Sequence, residues 1–289
     1  MLKPLLWAGG TLSLLPLFPS AAVAQPITAA PDGTGTVVTL NGDTYQIQGG
    51  TQAGANLFHS FQSFGLGNGE IANFLSHPGI TNILGRVTGG DPSIINGLIQ
   101  ATPNLYLMNP AGMVFGANAN LNVGGDFYAT TSDRLGFVGG WFNATGANDY
   151  ASLVGNPNQF AFLSEQPGAI LNFGDLSIKG NVSLIGGTVL NQGKVASTAG
   201  NVTIAAVPGE RLVRVSQEGM LLSLEIPAAS LMAEINPLDL PALLTGSGET
   251  LTPSVTESDV VIAGGRYFQS VQSGFTLKID NINTLAPSK

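Results

Sequence analysis

Ala169-Ile-Leu-Asn172-Phe-Gly174-Asp-Leu176 returns 19 residues later as Thr188-Val-Leu-Asn191-Gln-Gly193-Lys-Val195. Beside it, Asn181-Val-Ser-Leu184 returns as Asn201-Val-Thr-Ile204, an offset of 20. Self-similarity at this period marks a solenoid, in which each unit contacts only its neighbours. Each unit here holds short apolar β runs joined by glycine or asparagine, which suits one rung of a parallel β-helix. The leucine spacing of a leucine-rich repeat and the longer unit of a propeller blade are both missing. Asparagine tolerates the left-handed backbone of a sharp corner. Asn172 and Asn191, stacked in register, would also exchange amide hydrogen bonds from rung to rung. The fold class expected is therefore all-β: a right-handed parallel β-helix, a single-stranded solenoid of the pectate-lyase type, with an N-terminal β cap.

The same texture extends towards the amino terminus. Gly35-Thr-Val-Val-Thr-Leu40 is rich in β-branched residues and ends at Asn41-Gly42, a hairpin-turn pair, before the alternating run Tyr45–Gln48. Further β runs follow at Asn56–Phe64, Ile83–Val87, Leu105–Phe115, Leu121–Ala129 and Leu135–Val138. An open solenoid end carries unpaired backbone groups and needs a cap. The hairpin Val37–Ile47 is the cap candidate.

Composition narrows the function classes. Charged residues make up 10% of the 289, and glycine alone supplies 39, which excludes a coiled coil and a charge-rich disordered chain. Between Lys3 and Lys179 the only cations are Arg86 and Arg134. Nucleic-acid binding needs clustered lysine and arginine to neutralise phosphates, so no nucleic-acid partner is expected. Cysteine is absent, so hydrogen-bonded sheet and packing must hold the fold, and no disulfide forms early in an oxidising compartment.

The first residues read as a signal peptide over 1–24. Lys3 is a short basic region, Leu5 to Phe18 an apolar one broken by Pro16, and Ala22-Val23-Ala24 a small-x-small site with cleavage between Ala24 and Gln25. Removal leaves 9 cations against 18 acids, and no apolar stretch of about 18 residues to cross a membrane as a helix. The Sec export machinery is the partner this segment implies.

The sharpest short motif is Asn109-Pro-Ala-Gly-Met113, between two β runs. Asn109 caps its own turn, Pro110 presets φ, and Gly112 accepts a positive φ. Alone it is a turn between strands. In order, however, Gly49–Phe64, Ile83-Leu-Gly-Arg86-Val-Thr-Gly-Gly90, Ile95-Asn-Gly-Leu-Ile99, Asn109–Gly116 and Gly124-Gly-Asp-Phe-Tyr-Ala-Thr130 closely resemble the secretion domain of two-partner-secretion exoproteins. This is the filamentous-haemagglutinin amino-terminal, or haemagglutination-activity, domain, in its cyanobacterial form. The resemblance is strong from Ile27 to Phe137 and looser to Gly209.

The resemblance implies a capped β-helix that directs an exoprotein through a dedicated outer-membrane β-barrel transporter. It also implies secretion to the medium or cell surface via the periplasm. The family's Asn-Pro-Asn-Gly-Ile motif falls on Asn109–Met113, departing at Ala111 and Met113. Its Asn-Pro-Asn-Leu motif falls near His77-Pro-Gly-Ile80, where Pro78 alone is kept. Asn109, Pro110, Gly112 and Pro78 are thus the transporter-recognition candidates. An adhesin-like role follows from the same resemblance, with host-cell or surface glycans as candidate targets. The length leaves a truncated exoprotein, a gene fragment and a small stand-alone member all open.

The domain reading is a signal peptide over 1–24, the capped secretion domain over 25–140, and further rungs over 141–289, with an excursion near 227–258. Val260–Gly265 reads as a resumed rung. The rival function is a β-helix that binds or cleaves polysaccharide with stacked acids on one face. Asp126, Asp133, Asp149 and Asp175 share no repeat register, so no catalytic residues and no enzyme are expected. His59 and His77, without cysteine or carboxylate at ligand spacing, indicate neither metal nor cofactor. His59 is expected to be hydrogen-bonded and partly buried in an aromatic-rich strand.

Overall fold

The computed structural model describes residues 26–207 continuously and, beyond them, 209, 211–215, 222–225, 260–263, 266–271 and 276–277. The signal peptide, its cleavage site at Ala24 and Gln25, and the excursion near 227–258 lie outside the described residues.

Four strands form the amino-terminal cap: β1 (Thr28–Ala29), β2 (Thr36–Asn41), β3 (Thr44–Gly49) and β4 (Thr51–Ala53). β2 and β3 are the expected antiparallel hairpin, turning at Gly42 with φ of 59°. The first rung holds β5 (Asn56–Ser63) and β6 (Ile71–Phe74), and the second β7 (Asn82–Val87), β8 (Ser93–Ile95) and β9 (Leu98–Ala101). The third has β10 (Asn104–Met108), β11 (Met113–Phe115) and β12 (Asn120–Val123).

The fourth rung opens with β13 (Phe127–Thr130). The chain then leaves the solenoid for β14 (Arg134–Phe137), β15 (Gly140–Asn143), a single 3-10 turn at Tyr150–Ser152, and β16 (Gln159–Phe162). It returns for β17 (Ala169–Asn172) and β18 (Asp175–Ile178). The fifth rung has β19 (Val182–Gly186), β20 (Thr188–Asn191) and β21 (Lys194–Ser197), and the sixth begins with β22 (Val202–Ala206).

Rungs stack in parallel on three faces. β5, β7, β10, β13, β19 and β22 follow one another on the first, β8, β11, β17 and β20 on the second, and β6, β9, β12, β18 and β21 on the third. Ala169 pairs with Thr188 and Asn172 with Asn191, as the 19-residue offset requires. Val182 pairs with Val202 at the offset of 20. The fold is a parallel β-helix.

Face one differs from face three in sequence for a physical reason. On face three, burial alternates along β6, β9 and β18, so side chains point alternately to core and solvent. On face one, β5, β7, β10 and β13 are buried along nearly their whole length. Leu105 and Leu107 point into the solenoid interior with Phe61, Ile83, Phe115, Phe127, Leu184 and Val202. Tyr106 and Met108 point outward into a second core with Phe58, Leu84, Leu135, Phe142, Phe160 and Phe162. A sheet covered on both faces needs near-continuous apolar strands, which is why Leu105-Tyr-Leu-Met108 does not alternate. Each such aromatic or aliphatic side chain stabilises by roughly 1.5–3 kcal/mol when fully buried.

The cover over face one is a 5-stranded antiparallel sheet of β14, β15, β16, β23 (Arg211–Val215) and β24 (Leu222–Glu225). β14, β15, β16, β23 and β24 thus pair with one another and not with the strands of the three solenoid faces. β25 (Val260–Ala263) pairs antiparallel with β26 (Arg266–Val271), which pairs antiparallel with β22. β27 (Thr276–Leu277) likewise runs antiparallel to β21. The expected resumption of a parallel rung at Val260 is therefore corrected: these strands run against the last rung instead of extending it.

Candidate functional site

The Asn109–Met113 turn joins face one to face two. Asn109 is buried at 1% exposure. Its Oδ1 accepts from the Ala111 amide at 3.0 Å, and its carbonyl accepts from the Gly112 amide at 3.0 Å. Its Nδ2 donates down one rung to the Asp91 carbonyl at 3.0 Å and to Ser93 Oγ at 2.9 Å. The chain can turn this sharply because Gly112 takes φ of 120°, and a Cβ there would stand 3.0 Å from the Ala169 carbonyl oxygen. On the next rung, the Gly168 amide donates to the Pro110 carbonyl at 3.2 Å. The motif is thus wedged between the turns below and above it. Pro110 and Ala111 are half-buried, so they and not Asn109 form its accessible surface.

Pro78 lies elsewhere, on the turn from face three back to face one. It is exposed, within a turn closed by the Ile80 amide donating to the His77 carbonyl at 3.0 Å. The His77 ring accepts from the Gly79 amide through Nδ1 at 3.2 Å, and its Nε2 is 3.1 Å from Gln52 Oε1 of the cap. The fold does not bring Pro78 into the Asn109 turn.

Sequence reasoning passed over a second constellation at the cap. Arg86 on β7 is 3% exposed. Its Nη2 donates to Asp32 Oδ2 at 2.8 Å, its Nε to Ser60 Oγ at 3.0 Å, and its Nη1 to the carbonyls of Asn143 at 2.7 Å and Gly146 at 2.9 Å. Asp32 also accepts from Ser60 Oγ at 2.5 Å and from the Thr34 amide and hydroxyl. Burial alone would raise the Asp32 carboxyl, but the donors from Ser60, Thr34 and Arg86 outweigh it and hold the group at about 2. The signal that would have flagged this site is a lone arginine inside the apolar run Ile83–Val87, since such a charge is buried only with a partner.

A corner ladder was only half visible. Asn172 Nδ2 donates to Asn191 Oδ1 at 2.7 Å, as the repeat implied. A longer ladder precedes face one, where Asn82 Nδ2 donates to Asn56 Oδ1 at 2.8 Å and Asn104 Nδ2 to Asn82 Oδ1 at 2.9 Å. The Asp126 amide donates to Asn104 Oδ1, the Asn181 amide and Nδ2 to the Asp126 carboxylate, and the Asn201 amide to Asn181 Oδ1. The steps vary as 26, 22, 22, 55 and 20 residues. That variation hid the register, although each member stands just before an apolar run.

Three of the four acids weighed for catalysis have structural partners. Asp126 belongs to this ladder, Asp133 accepts from the Leu163 and Ser164 amides, and Asp175 pairs with Lys194 at 3.2 Å. His59 corrects an expectation: it is fully buried in the solenoid interior, and neither ring nitrogen has a hydrogen-bond partner. Its ring stacks on Phe61 and meets Phe74 edge-on, and burial pushes its imidazole down to about 4.

A capped parallel β-helix with an outer antiparallel cover and an Asn-Pro-x-Gly turn between faces is the arrangement that the resemblance to a secretion domain implied. The family model described as the TPS secretion domain matches residues 24–235, and the chain belongs to that family. Two similarities agree. The chain is 30% identical over 145 residues to a Haemophilus influenzae protein named heme/hemopexin-binding protein, covering 48% of this chain and 14% of that one. Its fold is similar to the HMW1 secretion domain of Haemophilus influenzae, with a TM-score of 0.50 at 20% identity over 70% of this chain and 48% of that one. The chain thus spans well under two thirds of either relative's length.

Proposed function

We propose that this chain is the secretion-targeting part of a two-partner-secretion exoprotein, recognised by an outer-membrane β-barrel transporter and delivered to the medium or the cell surface. The observation that carries the reading is the family match over residues 24–235 on a capped parallel β-helix. The signal peptide over 1–24 would bring the chain to the periplasm through the Sec machinery. There the transporter would read the exposed surfaces of two turns: Pro110 and Ala111 on one corner, and Pro78 on another. Asn109 and Gly112 act on recognition through the shape of the turn they hold. A non-catalytic role is supported by the structural partners of Asp126, Asp133 and Asp175.

The relative named for heme and hemopexin binding matches over only 14% of its own length. An adhesin-like activity, with host-cell or surface glycans as targets, is therefore proposed for the exoprotein as a whole rather than for these rungs. The test is secretion with and without the partner transporter, for the wild type and for Asn109→Ala. Transporter-dependent appearance outside the cell, reduced in the variant, is expected. Equal appearance without any transporter would overturn the reading.

A further inference from the structure

The excursion between β13 and β17 belongs to the fourth rung by sequence, yet it closes the first two rungs and the cap. Asn56 Nδ2, the first step of the corner ladder, donates to the Leu153 and Gly155 carbonyls at 2.8 and 2.7 Å. Asn82 Nδ2 reaches Asn156 Oδ1 at 2.9 Å. Tyr150 places its hydroxyl 2.9 Å from Thr34 Oγ1 in the cap and its ring 5.1 Å from Phe58. Arg86 ties Asp32 and Ser60 to the carbonyls of Asn143 and Gly146.

These contacts differ in kind from those that stack the rungs. Ladder partners are separated by 20 to 26 residues where no excursion intervenes. The excursion's contacts span 57 residues from Arg86 to Asn143, 97 from Asn56 to Leu153 and 116 from Thr34 to Tyr150. Closing longer loops costs more chain entropy and slows the step that requires it. Until these residues arrive, Asn56 and Asn82 lack their outer partners, the Arg86 guanidinium has only its Asp32 and Ser60 acceptors, and Phe58, Leu84 and Tyr106 lack their cover.

We propose that residues 131–158 are a latch: the cap and first two rungs reach their final stability only when this fourth-rung segment docks on them, with Arg86 as the pin. The amino-terminal third is therefore held loose until the chain as far as Asn156 has emerged beside it. This rests on the reading of the chain as an exported exoprotein, for which an uncommitted amino-terminal end keeps the segment passing through the transporter unfolded.

The test uses the full mature chain in the absence of any transporter. Hydrogen exchange is followed for the wild type and for Tyr150→Phe and Asn156→Ala, substitutions mild enough to leave the rungs folded. Each removes one hydrogen bond, so exchange at residues 56–61 and 82–87 should quicken about fivefold, with residues 202–206 unchanged. Pulse labelling during refolding from urea should show residues 56–61 gaining protection together with 134–137 and 159–162. Equal quickening everywhere, no quickening at 56–61, or protection of 56–61 before 134–137 each overturns the latch. None of these outcomes bears on the transporter, whose role is judged separately by transporter-dependent secretion.

Discussion

Acid should destabilise this protein through His59 before the Asp32 carboxylate contributes. The folded chain holds the His59 imidazole at about 4, against 6.5 for the ordinary group, because burial penalises its charged form. A depressed value means that the unfolded chain takes up the proton first as the pH falls. Stability is therefore whole above about pH 6.5 and declines as the pH drops towards 4. At 1.36 kcal/mol per pH unit, the interval is worth roughly 3 kcal/mol, a large share of a typical domain's 5–15 kcal/mol. Asp32 acts in a lower window: its contribution is present above the ordinary 3.8 and lost as the pH falls through about 2. Urea unfolding of a chain beginning at Gln25, followed by the fluorescence of Trp141, measures the effect at steps from pH 7.5 to 4. The His59→Leu variant removes both partnerless nitrogens, so it should gain about 1–2 kcal/mol at neutral pH and lose most of the slope between pH 6.5 and 4. If wild type and variant run parallel through that window, His59 is not buried and neutral as described.

Other perturbations give equally definite expectations. Arg86→Met leaves the Asp32 carboxylate without its cation, and thermal unfolding should report a loss of about 3–5 kcal/mol. Gly112→Ala forces a side chain onto φ of 120°, 3.0 Å from the Ala169 oxygen. It should cost about 1–3 kcal/mol and reduce transporter-dependent secretion, while Ala111→Ser on the half-buried accessible side of the turn should leave stability unchanged. Asn172→Ala removes the Nδ2 donor to Asn191 Oδ1 and the Oδ1 acceptor of the Gly174 amide. A loss of about 1–3 kcal/mol in a denaturant titration is expected, and Asn172→Asp should not restore it, since a carboxylate cannot donate to Asn191.

Much of the solenoid could be read locally because a rung's neighbours are one period away. Residues 169–176 and 188–195 display their pairing in the sequence itself, and the Asn172–Asn191 bond followed from it. The hairpin cap was legible for the same reason, with Asn41-Gly42 supplying its turn. The Arg86 site was not legible, because its partners sit 26 to 60 residues away in segments with no shared pattern. His59 was misjudged in its partners, since whether a strand histidine finds one depends on what packs against it from other rungs. The Asn109 turn was legible as a turn, but its burial was not.

By itself the sequence determined a β-helix with its repeat register and amino-terminal cap, because these depend on turn chemistry and on residues spaced by one rung. Only the tertiary structure decided that residues 131–167 leave the helix and fold back across its first rungs. Apolar runs such as Leu105–Met108 announce that both faces of a strand are covered, but not which segment covers the outer one. That choice is made by shape and by donors such as Arg86, Asn56 and Tyr150 meeting acceptors far along the chain. The sequence carries no period for such contacts.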